Sequence, residues 1–416
     1  MSKNNNGAAE FSWPNSDLTR IPDWVYTSDE IYDQEQERIF RGPTWSYVGF
    51  EAEIPNPGDF RRSYVGSVPV IFTRAKDDTI HVLENRCAHR GAEFCRELKG
   101  NNPEFMCPYH QWLYNLKGDL IAVPFRRGIK GQGGMPKDFK LEENGLRKLM
   151  VASRGGVVFA SFDPDVGSLE DYMSPEILTD FDATFNGRKL EILGYWRNRQ
   201  RGNWKLYHEN LKDPYHATLL HTYLVTFGLM VAGQKSAMLA DPTGRHGVMA
   251  SAMGDQDKEV VAASAAEMKK FETDYKLEDG RVVSYRPEAE SPWSVTMMTV
   301  WPNFIVQREL NTLGVRQIVP RGPGAYDMYW TMFGYEDDDA DMRDRRLCQA
   351  NLMGPAGYLG AEDHEAIAFV QDGVERSVPG SGVVMMDSDV EGTSSSLISE
   401  SAIRAMYRHY CGVMEL

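Results

Sequence analysis

Four residues of this chain stand in a register that suits a metal. Cys87-Ala88-His89 is followed, after a 17-residue gap, by Cys107-Pro108-Tyr109-His110, so two short stretches each offer one thiol and one imidazole. Such soft donors hold zinc or iron–sulfur clusters. Zinc accepts two Cys and two His and is the first competing reading. Zinc hairpins, however, usually open C-x-x-C. The mixed C-x-H and C-x-x-H halves suit a [2Fe–2S] centre, with two Cys on one iron and two His on the other. Coincidence is the second competitor, yet the whole chain has only 5 Cys and 9 His, so four of them in this register by chance is a poor account. Cys95, between the two stretches, has no partner in the pattern and reads as a buried apolar cysteine.

A second set of donors lies in residues 203–221, which include Asn210, Asp213, His216 and His221. Pro214 cannot sit inside a helix but suits its first position, with Asp213 as N-cap. One helix should therefore end near Lys212 and another begin at Pro214. On a straight helix two histidines five apart point ~140° away from each other. If both bind one ion the helix must be distorted, for instance by a π-type turn. The pair alone is weak evidence. A [2Fe–2S] centre elsewhere in the chain changes its weight, because that centre passes single electrons and needs an acceptor. Two His and one carboxylate on one face of an iron leave positions open for oxygen and substrate. The carboxylate should come later, and Gly354-Pro355-Ala356-Gly357 followed by Glu362-Asp363 is the best candidate.

The elements that must position these groups can be read from the pattern. Residues 28–42 read as an amphipathic helix capped by Ser28, with only Glu35 interrupting its apolar face. A polar leader to about Ser16 precedes it. From Trp45 to Phe162 short β-runs alternate with turns such as Asn56-Pro57-Gly58 and Lys117-Gly118-Asp119, which makes a small all-β module. Its loop Gly128–Lys137 should be exposed. Beyond Phe162 helical patterns (200–222, 337–352, 399–412) mix with strand patterns (296–308, 313–319, 326–335). The acidic run 336–339 precedes Arg343, Arg345 and Arg346, which fits a helix start and its dipole better than a cation site. At 416 residues, 42% hydrophobic and 25% charged, the chain can bury two or three cores, and wholesale disorder is excluded. A net charge of −15 disfavours nucleic acid and anionic membrane as partners, and an anionic substrate would need a local cation. No apolar run is long enough to span a membrane, and the odd count of five Cys points to a reducing, cytoplasmic setting.

Taken together, C-x-H-x17-C-x2-H, Asn210-x2-Asp213-x2-His216-x4-His221 and GPxG with its following acidic pair give the chain a family resemblance. It resembles the large (α) subunits of Rieske non-haem iron aromatic-ring hydroxylating oxygenases over nearly its whole length, nearest to those acting on anthranilate, salicylate, halobenzoates and terephthalate. The resemblance implies an α+β fold in which an all-β Rieske domain (43–160) is inserted in a larger helix-grip-like catalytic domain (161–416), with residues 1–42 packing on the latter. It implies that Cys87, His89, Cys107 and His110 hold one [2Fe–2S] cluster, and that His216, His221 and Asp363 hold one mononuclear Fe(II). Two departures stand out: Gln111 occupies a position that is usually Gly, and Glu362 one that is often Asp.

Further roles follow from the resemblance. Asp213 would bridge His110 of one subunit to His216 of the next in a ring of three, as well as cap its helix. Arg316, in the strand-like run Val315–Val319, would anchor a substrate carboxylate. Dicarboxylate relatives carry a second Arg in the segment matching Thr393–Ser401, whereas this chain has no cation there, so a monocarboxylate is favoured and hydroxyls are left to contact an ortho substituent. Electrons would come from NADH through a separate reductase and ferredoxin, and a small β subunit would complete an α3β3 assembly. The implied reaction is O2-dependent dihydroxylation of an ortho-substituted benzoate to a catechol. The alternatives are monohydroxylation of salicylate to gentisate, or electron carriage without oxygenase chemistry. A carrier would leave roughly 250 residues unexplained. His208, His246 and His364 read as satisfied or surface histidines.

Overall fold

The computed structural model describes residues 11–227, 229–230, 234–253 and 277–416, together with 259, 262, 263 and 266. Two compact units emerge, one of residues 40–167 and one joining the residues before Phe40 to Ser168–Leu416.

The 40–167 unit is built from three small antiparallel sheets. Strands Ile80–Glu84, Val68–Arg74, Asp59–Val65 and Lys99–Asn101 form one sheet; Met150–Arg154, Val157–Ser161 and Ser46–Phe50 form the second. The third is the hairpin array Glu104–Met106, Leu113–Asn115 and Leu120–Ala122. Two cores fill the unit, and one of them gathers Phe94, Phe105, Tyr114, Leu116 and Leu120 around Cys87 and Cys107. The loop 128–137 is exposed along most of its length.

The larger unit is organised by one seven-stranded antiparallel sheet. Its order is Leu190–Arg201, Ala325–Tyr335, Thr312–Pro320, Phe304–Glu309, Val295–Val300, Gly247–Ser251 and Ser236–Ala240. The middle strands are buried along their length, so the sheet is covered on both faces. The run expected over 296–308 is two strands joined by a turn at 301–303. The Trp204–Lys212 helix packs on the middle of this sheet, and the Tyr358–Arg376 helix packs against both that helix and the Leu190–Arg201 strand. Among the described residues no helix is long and apolar enough to cross a membrane.

Three local differences from the sequence expectations have clear causes. The leader lies outside the described residues as far as 10, but from Phe11 it is aromatic and packed: Phe11 lies tilted and Trp13 edge-on against Trp24, and Trp13 lies tilted against Tyr407. The helix expected over 28–42 is α-helical over Asp29–Glu35, with the Ser28 hydroxyl accepting from Ile31 N, and continues as a π-helical turn over Gln36–Phe40. Glu35 does not interrupt its apolar face but is fully buried in it. The carboxylate accepts from Lys205 Nζ (2.5 Å), Tyr410 OH (2.7 Å) and Trp204 Nε1 (2.8 Å), which compensates the desolvation of both charges. The acidic run ends in Asp339, the N-cap of the Ala340–Met353 helix, while Asp338 pairs with Arg346 and Arg188.

Candidate metal centres

The two Cys/His loops have one construction. In the first, Cys87 N donates to Ala92 O and Gly91 N to Cys87 O; in the second, Cys107 N donates to Trp112 O and Gln111 N to Cys107 O. Each turn needs a left-handed residue after its histidine, and Gly91 (φ +73°) and Gln111 (φ +56°) occupy those equivalent places. Glycine is free to adopt that conformation, while Gln111 adopts it against a steric cost. The two loops face each other, with the His89 and His110 rings 4.5 Å apart between centroids. Both thiols are buried and both imidazoles are partly exposed at the rim. Two residues without a sequence-level role hold this end: Trp112 stacks on His89 at 4.7 Å, and Tyr114 OH lies 3.2 Å from Cys87 Sγ. Nδ1 of His89 is buried and has no hydrogen-bond partner, as fits a ring nitrogen made to ligate a metal. Cys95 is buried in the same core, its Sγ near Glu97 O, and burial pushes its thiol up to about 11.

The second set converges in the larger unit. The Pro214–Leu220 helix starts with Pro at N1, and Asp213 Oδ1 accepts from Tyr215 N (2.9 Å) and His216 N (3.3 Å). The helix then stops. His221 is non-helical (φ −87°, ψ 71°) before a new turn begins at Thr222. A break, rather than a π-type turn, brings the two histidines to one side. Asp363, on the Tyr358–Arg376 helix, completes the group: its Oδ1 is 3.0 Å from His221 Nε2 and 3.5 Å from His216 Nε2. One donor atom from each residue lies within 4.8 Å of the other two. Atoms ~2.1 Å from one ion and adjacent on its coordination sphere sit ~3 Å apart, so the set fits a metal ion.

The neighbours divide their work by nitrogen. Glu362 Oε2 is 2.7 Å from His221 Nδ1, so a ring N–H there is held and Nε2 is the nitrogen turned toward Asp363 and the centre of the group. Asp213 Oδ2 lies 3.5 Å from His216 Nδ1. Asn210 Nδ2 reaches His216 Nε2 (3.2 Å) and Asp363 Oδ1 (3.1 Å). Burial opposes charge on both rings, yet the neighbouring carboxylates of Asp213 and Asp363 push His216 up to about 10, and those of Asp363 and Glu362 push His221 up to about 9. Burial likewise opposes the Asp363 charge, but the two imidazoles hold its carboxyl far below the usual range. The site thus asks for positive charge among its donors. A divalent cation supplies it with both rings neutral, releasing protons as it binds.

Residues 188–415 match the ring hydroxylating alpha subunit (catalytic domain) family, and residues 44–132 match the Rieske [2Fe–2S] domain family. The chain belongs to the ring-hydroxylating oxygenase α subunits. It is 48% identical to the large oxygenase component of salicylate 5-hydroxylase from Ralstonia sp., covering 97% of this chain and 96% of that one. It is 40% identical to the anthranilate 1,2-dioxygenase large subunit of Burkholderia cepacia, covering 98% and 96%. A naphthalene 1,2-dioxygenase structure from Rhodococcus sp. shares the fold with a TM-score of 0.77 at 24% identity, over 96% of this chain and 95% of that one. As a member of the family this oxygenase subunit carries a [2Fe–2S] cluster and a mononuclear iron and works with other components.

The cleft beside the His–His–Asp group is narrow, about 30 Å3, and is walled by Leu211, Ala217, Leu224, Met230, Met249, Val295, Met297 and Leu359, with Glu309 as the polar exception beyond the metal-side residues. Arg316 lies on the same sheet face as Met249, Met297 and Glu309, by the pairing of Arg316 with Ile305, Gln307 with Met297 and Met297 with Met249. The guanidinium is fully buried, 4.1 Å over the Trp330 ring, and its Nη1 donates to Tyr207 OH. Among the described residues its Nε and Nη2 have no partner. The hydroxyls of 393–401 do not line this cleft; Thr393 pairs with Ala240, and Ser394, Ser399 and Ser401 make local bonds. His208 and His246 are fully buried against Pro302 O and Tyr172 O. His364 turns from Asp363 toward Tyr207 and Trp330.

Proposed function

We propose that this oxygenase subunit hydroxylates an aromatic monocarboxylate with an ortho substituent, using O2 and electrons that start from NADH. The observation that carries this reading is Arg316: a buried guanidinium with two unused donors, on the sheet face that walls the apolar cleft at the His–His–Asp group. A buried cation with no carboxylate paired to it is costly, and a planar carboxylate matches the fork that Arg offers. The chain's charge of −15 makes such a local cation necessary for an anionic substrate. When bound, the cluster supplies single electrons and the mononuclear iron supplies oxygen activation. Cys87, His89, Cys107 and His110 would hold the first, and His216, His221 and Asp363 the second. The apolar walls exclude water from the ring, and Glu362 holds the Nδ1 proton of His221.

Two reactions follow from this reading. Dihydroxylation at the carboxyl-bearing and adjacent carbons of an anthranilate- or halobenzoate-like acid puts both oxygens on the ring. It yields catechol, CO2 and the released ortho group. Monohydroxylation of salicylate puts one oxygen on the ring and one into water, giving gentisate. The 48% identity to a salicylate 5-hydroxylase component favours this second reading as a close rival. Incubation with NADH, reductase, ferredoxin and each acid, with products identified by mass, separates catechol from gentisate. No product from any benzoate would overturn the proposal.

Residues 43–160 would serve as the cluster domain and 161–416 as the catalytic domain, with 1–42 packed on the latter. We place the protein in the cytoplasm, in an α3β3 assembly whose α ring completes the electron route. Asp213 would accept a hydrogen bond from His216 Nδ1 on one side and from His110 of a neighbouring subunit on the other. The 22% exposure of its side chain leaves that second side reachable.

Two predictions test the metal and substrate assignments directly. The purified protein should be red-brown, with acid-labile sulfide and about three irons per chain; a colourless, zinc-bearing preparation would refute the cluster assignment. Arg316→Ala should weaken carboxylate substrates by about 1.5–3 kcal/mol relative to neutral aromatics. Steady-state KM values for benzoates against a neutral ring measure this.

A further inference from the structure

Glu309 ends the Phe304–Glu309 strand, is 3% exposed and lines the cleft with His216, His221 and Asp363. A carboxyl here is unexpected in a site built for an anion, because it repels the ligand and is itself desolvated. Its protein partner is Gln307, whose Nε2 donates to Oε2 at 2.9 Å. The Gln307 carbonyl oxygen is buried and unpartnered, so the amide spends its donor on Glu309 and gains nothing at its other end. Arg316 stands on the same sheet face and lowers the cost of the Glu309 charge from a distance, against the burial that raises its pKa. The two do not pair, for Arg316 keeps Nε and Nη2 unused. Glu309 thus lines the cleft as a carboxyl able to accept, while Arg316, on the same sheet face, is fully buried and is not among the residues lining it.

We propose that Glu309 selects the group ortho to the substrate carboxylate, accepting a hydrogen bond from a hydroxyl or amino substituent there. The inference rests on the aromatic-carboxylate reading of the cleft and narrows it to 2-hydroxy- and 2-aminobenzoates. Such a ligand carries the complement of the wall, an acceptor carboxylate and a donor on the next carbon. A halogen at that position offers no proton to Glu309 and places a partial negative charge against it. A second carboxylate on the ring meets like charge if it approaches the same group.

Equilibrium titration calorimetry of the iron-loaded protein with salicylate, anthranilate, 2-fluorobenzoate and benzoate tests this without turnover. The fluoro acid is close to salicylate in size and lacks the donor. Wild-type protein should bind salicylate and anthranilate roughly 10- to 100-fold tighter than 2-fluorobenzoate, the range of a hydrogen bond to a charged group. Glu309→Leu should bring that ratio close to one, and Glu309→Gln, which keeps an acceptor oxygen, should retain part of it. A wild-type ratio near one overturns the inference even if the leucine variant fails to fold. So does a ratio that survives in Glu309→Leu. If none of the four acids binds wild-type protein, the aromatic-carboxylate reading falls and the inference with it.

Discussion

Asp213→Asn should leave both metal sites loaded and slow turnover by about 100-fold or more. Asp213 holds two positions at once. Its Oδ1 caps the Pro214–Leu220 helix, and its Oδ2 faces His216 Nδ1 at 3.5 Å. Asparagine is as good an N-cap as aspartate, so the helix and the placement of His216 should survive. What is lost is a charged acceptor able to take a hydrogen bond from an imidazole on each side. Stopped-flow reduction of the cluster by ferredoxin should stay normal, while reoxidation of the reduced cluster in the presence of substrate and O2 slows. If the variant instead loses mononuclear iron and keeps fast reoxidation, Asp213 supports His216 and does not bridge subunits. Unchanged activity would make it a helix cap alone.

Asp363→Asn should lower the iron content from about three to about two per chain, with the visible spectrum of the cluster intact. Asp363 is 2% exposed, and a single oxygen of it approaches both imidazole Nε2 atoms and the Asn210 amide. Removing its charge leaves two neutral rings and an amide, a donor set too weak for a labile divalent ion. Glu362→Gln makes the contrast. Its carboxylate reaches only the far nitrogen of His221, so that variant should keep the iron with roughly 10- to 100-fold weaker affinity. Metal analysis of both variants after dialysis against a chelator decides between the two neighbours. Equal iron loss in both, or greater loss in Glu362→Gln, would reverse the assignment.

Much of this molecule can be read along the chain where chemistry and local geometry agree. The proposed cluster residues Cys87, His89, Cys107 and His110 are legible because each loop carries one thiol and one imidazole within a few residues, so the pattern is local. The cap at Asp213, the helix start at Pro214 and the strands of both units follow from turn residues and periodicity, which are local too. Glu35 was misread for the opposite reason. A carboxylate on an apolar face looks like an interruption until Lys205, Trp204 and Tyr410 arrive from segments 169 to 375 residues away. Glu309 and Arg316 are similar: a strand pattern says that they are buried, but not which face they share or what stands opposite.

The sequence by itself therefore determined the family, the cluster motif and the small set of candidates for the second centre. Tertiary structure alone decided how two histidines ~140° apart on an ideal helix reach one point, through a break at His221. It also decided which acid of the Glu362-Asp363 pair faces both rings, because neighbours on a helix point about 100° apart and only packing says which one turns inward. Spacing records what one segment can do, whereas a site drawn from two helices and a sheet exists only once burial has fixed which faces meet.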